Sequence, residues 1–277
     1  MKKIVLIASI VIACINFTFS QSEPVYEPWA STMLAEGQTT LNPTAKGLEY
    51  YIYHRFAKIE NIKDLYGIYG PSNIRMGFNY GITKKISLGF GTEKNNKIQD
   101  LFWKINIFEQ TEDNKFPVAL AYYGDLGLDS RDEAVFGSNY TFTNRLTYYH
   151  ELIISRKFTE KISVLVAGNY SHFNAIDSMY QNKVVGVRAG GKMNLYNSMN
   201  LIVEYAQPFQ LSSVNPNLGQ FKLKPGIMAG LEIATGTHAF QVFYTTFQNL
   251  NQQKNMVFSN TELGDGVLGF NITVRLR

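Results

Sequence analysis

The stretch Gly266 to Arg277 (GVLGFNITVRLR) constrains the fold most. From Leu268 onward Leu268, Phe270, Ile272, Val274 and Leu276 alternate with Gly269, Asn271, Thr273 and Arg275, which is the period of a β-strand with two different faces. A strand that ends a chain leaves a row of unpaired backbone groups unless something pairs with it. Pairing with the first strand removes that edge, so the ending points to a sheet closed on itself.

The rest of the chain supplies the other strands. Alternating segments separated by turn residues run over Gly47 to Ile59, Asn73 to Ile82, Ile86 to Glu93, Ile98 to Phe108, Phe116 to Gly124 and Asn144 to Lys157. They continue over Lys161 to His172, Lys183 to Tyr196, Met199 to Ala206, Phe221 to Ala234, His238 to Phe247 and Gly266 to Arg277, twelve strands in all. Connections after the even strands are nearly all tight, such as Thr83-Lys84-Lys85, Phe158-Thr159-Glu160 and Asn197-Ser198. Those after the odd strands tend to be long, as at Glu60 to Ser72, Asp125 to Thr143, Gln207 to Gln220 and Gln248 to Asp265. Outer-membrane barrels have short periplasmic turns and long extracellular loops. The expected fold is therefore all-β, a closed antiparallel transmembrane β-barrel of about twelve strands with both termini periplasmic. A soluble sandwich has no reason to segregate loop lengths to one end.

Ile74, Met76, Phe78 and Tyr80 alternate with Arg75, Gly77, Asn79 and Gly81, and Leu201, Val203 and Tyr205 with Ile202 and Glu204. The first set of each strand is expected to face lipid and the second a lumen. No apolar run after residue 20 reaches the length of a spanning helix, while 17 Tyr and 19 Phe suit the aromatic girdles of a barrel.

Residues 1–20 read as a signal peptide: Lys2 and Lys3 precede an apolar run from Ile4 to Phe17, with Ser20 before the expected cleavage. The alternative is a lipoprotein, with Val11-Ile12-Ala13 ahead of Cys14. Cleavage after Ser20 leaves no cysteine, as suits an oxidising compartment. It also leaves 24 Lys+Arg against 22 Asp+Glu, a charge near +2 that gives no nucleic-acid footprint. Residues 21–46 carry two early prolines and no sustained period, and read as a periplasmic N-terminal segment or partial plug; residues 47–277 form the barrel.

With the strands placed, the chain resembles an uncharacterised family of Bacteroidota outer-membrane β-barrel proteins. The resemblance rests on Thr32 to Thr40, His54-Arg55-Phe56, Asn73 to Gly91 (NIRMGFNYGITKKISLGFG), Thr237 to Phe243 (THAFQVF) and Gly264 to Ile272 (GDGVLGFNI). It implies the barrel fold and an outer-membrane location, and carries no substrate or catalytic residue. Gly266 to Arg277 also looks like the C-terminal signal read by barrel-insertion machinery, which makes that machinery and outer-membrane lipid the expected partners. Arg277 departs from the aromatic residue that usually ends such a signal.

Several chemistries are open to test in the residues. An outer-membrane lipid hydrolase needs a serine beside a base. The nearest pairs, Ser171-His172 and His150-Glu151, are neighbours in a strand and point to opposite faces, so no enzymatic activity is expected. Asp125, Asp129, Asp132 and Glu133 cluster in a stretch read as a loop, but without the spacing of an EF-hand, so an ordinary solvated acidic loop is expected and no metal. No Gly-rich loop opens a helix, and no cofactor is expected.

The polar phase of the strands gives the lumen-lining candidates: Glu49, Arg55, Arg75, Lys104, Arg145, Glu151, Arg188, Glu204, Glu232 and Arg275, with Tyr51, Tyr149, Lys222 and Lys224. Either these charges pair and fill the barrel, or they border a path for a small solute. Glycines on the same phase, among them Gly77, Gly89, Gly91, Gly186 and Gly226, are expected to leave room. An excess of arginine over glutamate there favours an anionic solute, since the guanidinium fork matches a carboxylate. The expected function is passage or binding of a small, anionic solute; the alternative is a structural barrel that docks another envelope protein.

Overall fold

The structure, a computed structural model, describes residues 22–59, 62–177, 179–211 and 221–276. The signal peptide with cleavage after Ser20, the lipoprotein alternative at Cys14 and the departure at Arg277 lie outside the described residues, as does most of the 207–220 connection. Twelve strands form the wall: β1 (Leu48–Lys58), β2 (Asn73–Gly81), β3 (Ile86–Glu93), β4 (Ile98–Phe108), β5 (Ala119–Asp129), β6 (Leu146–Lys157), β7 (Ile162–Phe173), β8 (Lys183–Tyr196), β9 (Met199–Gln210), β10 (Gly226–Ala234), β11 (His238–Thr245) and β12 (Val267–Leu276). A short helix, α1 (Gln252–Val257), lies between β11 and β12.

Each strand pairs antiparallel with its sequence neighbours, and β12 pairs with β1 from Leu48 opposite Leu276 to Arg55 opposite Gly269. The sheet is a closed barrel with no free edge. Most short connections lie at one end with the first and last strand termini, here the turn end, and most long ones at the opposite, loop end; the long 109–118 and the short 94–97 are the exceptions.

The two phases of each strand face as the alternation requires. In β2, Asn73, Arg75, Gly77, Asn79 and Gly81 are buried, while Met76, Phe78 and Tyr80 are exposed on the outside. Val203, Tyr205, Phe240 and Val242 are exposed in the same way on β9 and β11, the last at 64%. So broad an apolar outer surface is unsuited to water and fits a hydrocarbon surround.

Several strand ends differ from expectation, β9 among them, which runs on to Gln210. β5 starts at Ala119, after Pro117, and runs on to Asp129. The expected acidic loop is thus half strand: Asp125 and Asp129 point inward, and Asp132 caps a 3-10 helix over Glu133–Phe136. β10 starts at Gly226, because Pro225 has no N–H for the ladder, so Lys222 and Lys224 lie outside the wall and Lys224 pairs with Glu262. β6 starts at Leu146, behind a 3-10 helix over Phe142–Arg145.

Candidate functional site

The inner wall encloses a segment of the chain itself. Residues 22–28 run along the turn end, where Pro24 bridges to Thr111 and Val25 donates to Gln110 O at 2.9 Å. The chain then enters the lumen as a hairpin, residues 29–42, with Met33 bridged to Gln38 and Leu34 N donating to Gly37 O at 2.9 Å. It returns to the turn end and passes into β1 at Gly47 and Leu48. The segment has no sheet neighbours along most of its length, so its backbone groups need other partners.

The charged wall residues provide them. Lys104 on β4 is buried and donates to Thr32 O at 3.0 Å, Thr39 O at 3.1 Å and Gln38 Oε1 at 3.1 Å. Arg188 on β8 donates to Gln38 O at 2.6 Å and also to Glu151 and Glu204, at 2.9 and 2.8 Å. Glu204 accepts from Glu36 N at 2.7 Å and Gly37 N at 3.1 Å. Glu232 accepts from Ser31 Oγ at 2.6 Å, and Glu49 from Thr32 Oγ1 at 2.7 Å. Arg55 pairs with Glu36 at 2.8 Å, and Arg275 donates to Ala30 O and reaches Glu49 at 3.4 Å. An ion removed from water is costly unless paired and hydrogen-bonded, and here the hairpin completes that pairing.

A second segment closes the loop end. Between β11 and β12 the chain dips inward, and α1 sets Gln253 against Asp125 at 3.2 Å and Asn251 against Asp100 at 3.3 Å. Gln252 donates to Glu36 O at 3.3 Å, so the two segments touch. Asp100 pairs with Arg75, whose guanidinium lies 5.1 Å from the Tyr51 ring and 5.7 Å from that of Phe102. Buried in α1, Lys254 has its ammonium pushed down to about 8 by loss of water, with Glu93 opposing.

Of the sequence candidates, Glu49, Arg55, Arg75, Lys104, Glu151, Arg188, Glu204 and Glu232 are buried within the barrel, together with Tyr51 and Tyr149, and Arg275 is partly so. Arg145 is not among them. It ends the 3-10 helix at the loop end, bonded to Asp129 O and Arg131 O and lying 5.1 and 5.0 Å from the Phe136 and Tyr140 rings. The buried wall residues Glu93, Asp100, Asp125, Asp129 and Lys192 belong to the same surface and were missed. With them counted, acidic side chains outnumber basic ones, so the arginine excess behind an anionic solute does not hold. Their signal was present: Asp125, Gly127 and Asp129 continue the polar phase of β5 opposite Leu126 and Leu128.

The inward-facing glycines leave no open space along the wall. The Tyr51 hydroxyl lies over Gly77 and Gly91, the Phe102 ring over Gly89, Met256 over Gly186 and the Phe247 ring over Gly226. Between hairpin and wall, beside Thr32, Met33 and Tyr51, a void of about 10 Å³ remains, room for about one water at most. Larger cavities lie on either side: about 670 Å³ at the turn end, around Tyr26, Trp29, Asn42, Lys192 and Arg275, and about 480 Å³ at the loop end. They share no lining residue.

The histidines all belong to the outer face. The His150 ring bonds the Tyr122 hydroxyl at 2.7 Å and stacks on Tyr170, His172 lies against Tyr148, and His54 stacks on Phe270. Ser171 and Glu151 are buried on the inner face, so neither forms a contact with the neighbouring histidine.

The barrel is similar to solved outer-membrane structures. The NanC porin aligns with a TM-score of 0.51 at 10% identity, over 83% of this chain and 100% of that one. The KdgM porin gives 0.49 at 8%, over 83% and 98%, and the COG4313 outer membrane channel from Pseudomonas putida F1 gives 0.49 at 12%, over 84% and 96%. Likeness at such identity speaks to the fold alone. No curated protein matches the chain in sequence. One family, described as a membrane bound beta barrel domain (DUF5777), matches residues 29–276, nearly the whole described chain, and the protein belongs to it.

Proposed function

We propose that the protein is a porin-like outer-membrane conduit for a small polar solute, held shut by its own N-terminal hairpin. One observation carries this reading: the hairpin's backbone is held in the lumen by hydrogen bonds with charged wall side chains, where a sheet would have supplied backbone partners. Each such bond, having one charged partner, contributes about 1.5–3 kcal/mol net. Withdrawing the hairpin exposes charged wall side chains that water solvates, and the two end cavities join once the β11–β12 connection, which touches the hairpin through Gln252, moves aside with it. The solute is not assigned a charge. No step of chemistry is part of this reading, since the histidines and the inner polar groups are on opposite faces.

In this reading the short turns and both termini face the periplasm of a Bacteroidota cell, and residues 1–20 are removed after Ser20. The outer face contacts lipid, and Gly266 to Arg277 is the part read by the insertion machinery. The filled lumen also supports a second reading, a barrel that docks an envelope protein through its loops.

A reversible lock separates the two. Thr40 Oγ1 and Ser155 Oγ are 2.7 Å apart, hairpin against wall, and the one native cysteine, Cys14, is removed with the signal peptide. With Thr40→Cys and Ser155→Cys, the oxidised protein is expected to be silent in planar bilayers and the reduced protein to open. Silence in both forms, and in protein lacking residues 29–42, would leave docking as the better account.

A further inference from the structure

The loop-end cavity has a lining unlike the charged lumen beneath it. Three half-buried aromatic rings form one side: Tyr180, from the β7–β8 connection, meets Phe221 and Phe258 edge-on at centroid distances of 4.6 and 4.7 Å. Carboxamides line the same cavity, and those of Asn95, Asn249 and Asn260 make no hydrogen bond among the described residues. Asn249 is held in place by its backbone, which accepts from Asn255 Nδ2 at 2.9 Å and donates to Asn255 Oδ1 at 3.0 Å. A carboxamide both donates and accepts, as a sugar hydroxyl does, while the ring faces suit the C–H surface of a pyranose.

The cations that border this space are already engaged. Arg55 pairs with Glu36 at 2.8 Å and also bonds Asn271 at 3.2 Å, and Lys58 pairs with Asp265 at 2.9 Å. The cavity, about 480 Å³, falls within the roughly 300–1,000 Å³ usual for small-molecule sites. We propose that this cavity binds a neutral saccharide, its hydroxyls on the free carboxamides and its ring on the aromatic wall. As the identity of the carried solute, the saccharide rests on the conduit reading; as a bound ligand, it does not.

The test is calorimetric titration of the full-length protein in detergent with maltotriose and cellotriose, beside trigalacturonate and triglycine. At least one neutral sugar is expected to bind with a Kd of about 1 mM or tighter, and more tightly than the acidic sugar or the peptide. Tyr180→Ala, Asn249→Ala and Asn260→Ala are each expected to weaken it about tenfold, with heat-modifiable migration on gels unchanged. Asn197→Ala, at the turn-end cavity, is expected to leave binding as it is. Binding of neither neutral sugar, tighter binding of trigalacturonate or triglycine, or full affinity in all three loop-end variants would overturn the proposal. Binding without conductance keeps it and fells the conduit; conductance without binding does the reverse.

Discussion

The N-terminal hairpin offers the wall mainly backbone, whereas the β11–β12 connection offers it side chains. Lys104 and Arg188 grip carbonyls of residues 32, 38 and 39, and Glu204 grips two consecutive N–H groups. The connection instead inserts amide side chains beside Asp100 and Asp125, and packs Phe247, Leu250, Met256 and Val257 into the apolar part of the interior, where Trp29 and Leu34 of the hairpin also lie. Charge-assisted bonds to a backbone depend on the conformation of the segment, while side-chain packing depends on its sequence. The hairpin's polar hold thus depends more on its shape, and the connection's on its residues.

The largest expected effect comes from removing a cation that grips the hairpin. Arg188→Met leaves Glu151 and Glu204, both fully buried, without their partner and also frees Gln38 O. Breaking such a buried pair costs about 3–5 kcal/mol. Gln253→Met, in the connection, loses a hydrogen bond to Asp125 and is expected to cost about 1–3 kcal/mol. Thermal loss of the compact gel form is the measurement, with Arg188→Met melting at the lower temperature. Equal melting would mean that the two segments are held alike.

The same contrast explains what the sequence made legible. Ring closure, the strand count and the two faces follow from alternation, because pleating puts every second side chain on one side. The hairpin was legible only as a candidate plug. Its partners are mostly its own carbonyls and N–H groups, which every residue carries, so nothing in the residues 29–42 announces where Lys104 or Arg188 will bind. Arg145 was misplaced because Leu146 and Tyr148 carry a strand phase that extrapolates backward, while Asn144 and Arg145 belong to a 3-10 turn. Asp100 and Asp125 were missed for different reasons. Asp100 sat unremarked inside a correctly bounded strand, and Asp125 was read as the start of a loop.

Two glycines give a finer comparison. A methyl at Gly37, near the hairpin tip, would collide with the Arg188 guanidinium, which its three acceptors hold in place. A methyl at Gly186, facing the connection, would meet first the end of the Met256 side chain, which can rotate away. Overpacking costs about 1–3 kcal/mol where neighbours cannot yield. Gly37→Ala is therefore expected to lower the melting temperature more than Gly186→Ala, and to raise cleavage of the hairpin by added protease. The reverse order would put the rigid contact in the connection.

The smallest expected effect, and the one that sets the segments most directly against each other, is the sign of their pH response. Burial raises the Glu36 carboxyl above its ordinary 4.5, with Arg55 opposing, and its Oε1 has no hydrogen-bond partner. The docked hairpin therefore keeps this proton to higher pH than the free one. The contribution of Glu36 to docking is full below about pH 4.5 and is lost as the pH rises towards the docked value. Lys254 works the other way, since its ammonium falls from 10.5 to about 8 on docking. The docked connection loses its proton first, so its docking weakens as the pH falls from about 10.5 to about 8 and is level below that. With Trp103, the other tryptophan, replaced by Phe, emission of the buried Trp29 reports the hairpin, and a fluorophore attached at Ser259→Cys reports the connection. Glu36→Gln is expected to flatten the first response and Lys254→Met the second. A hairpin loosened by acid, or a connection loosened by base, would break the comparison.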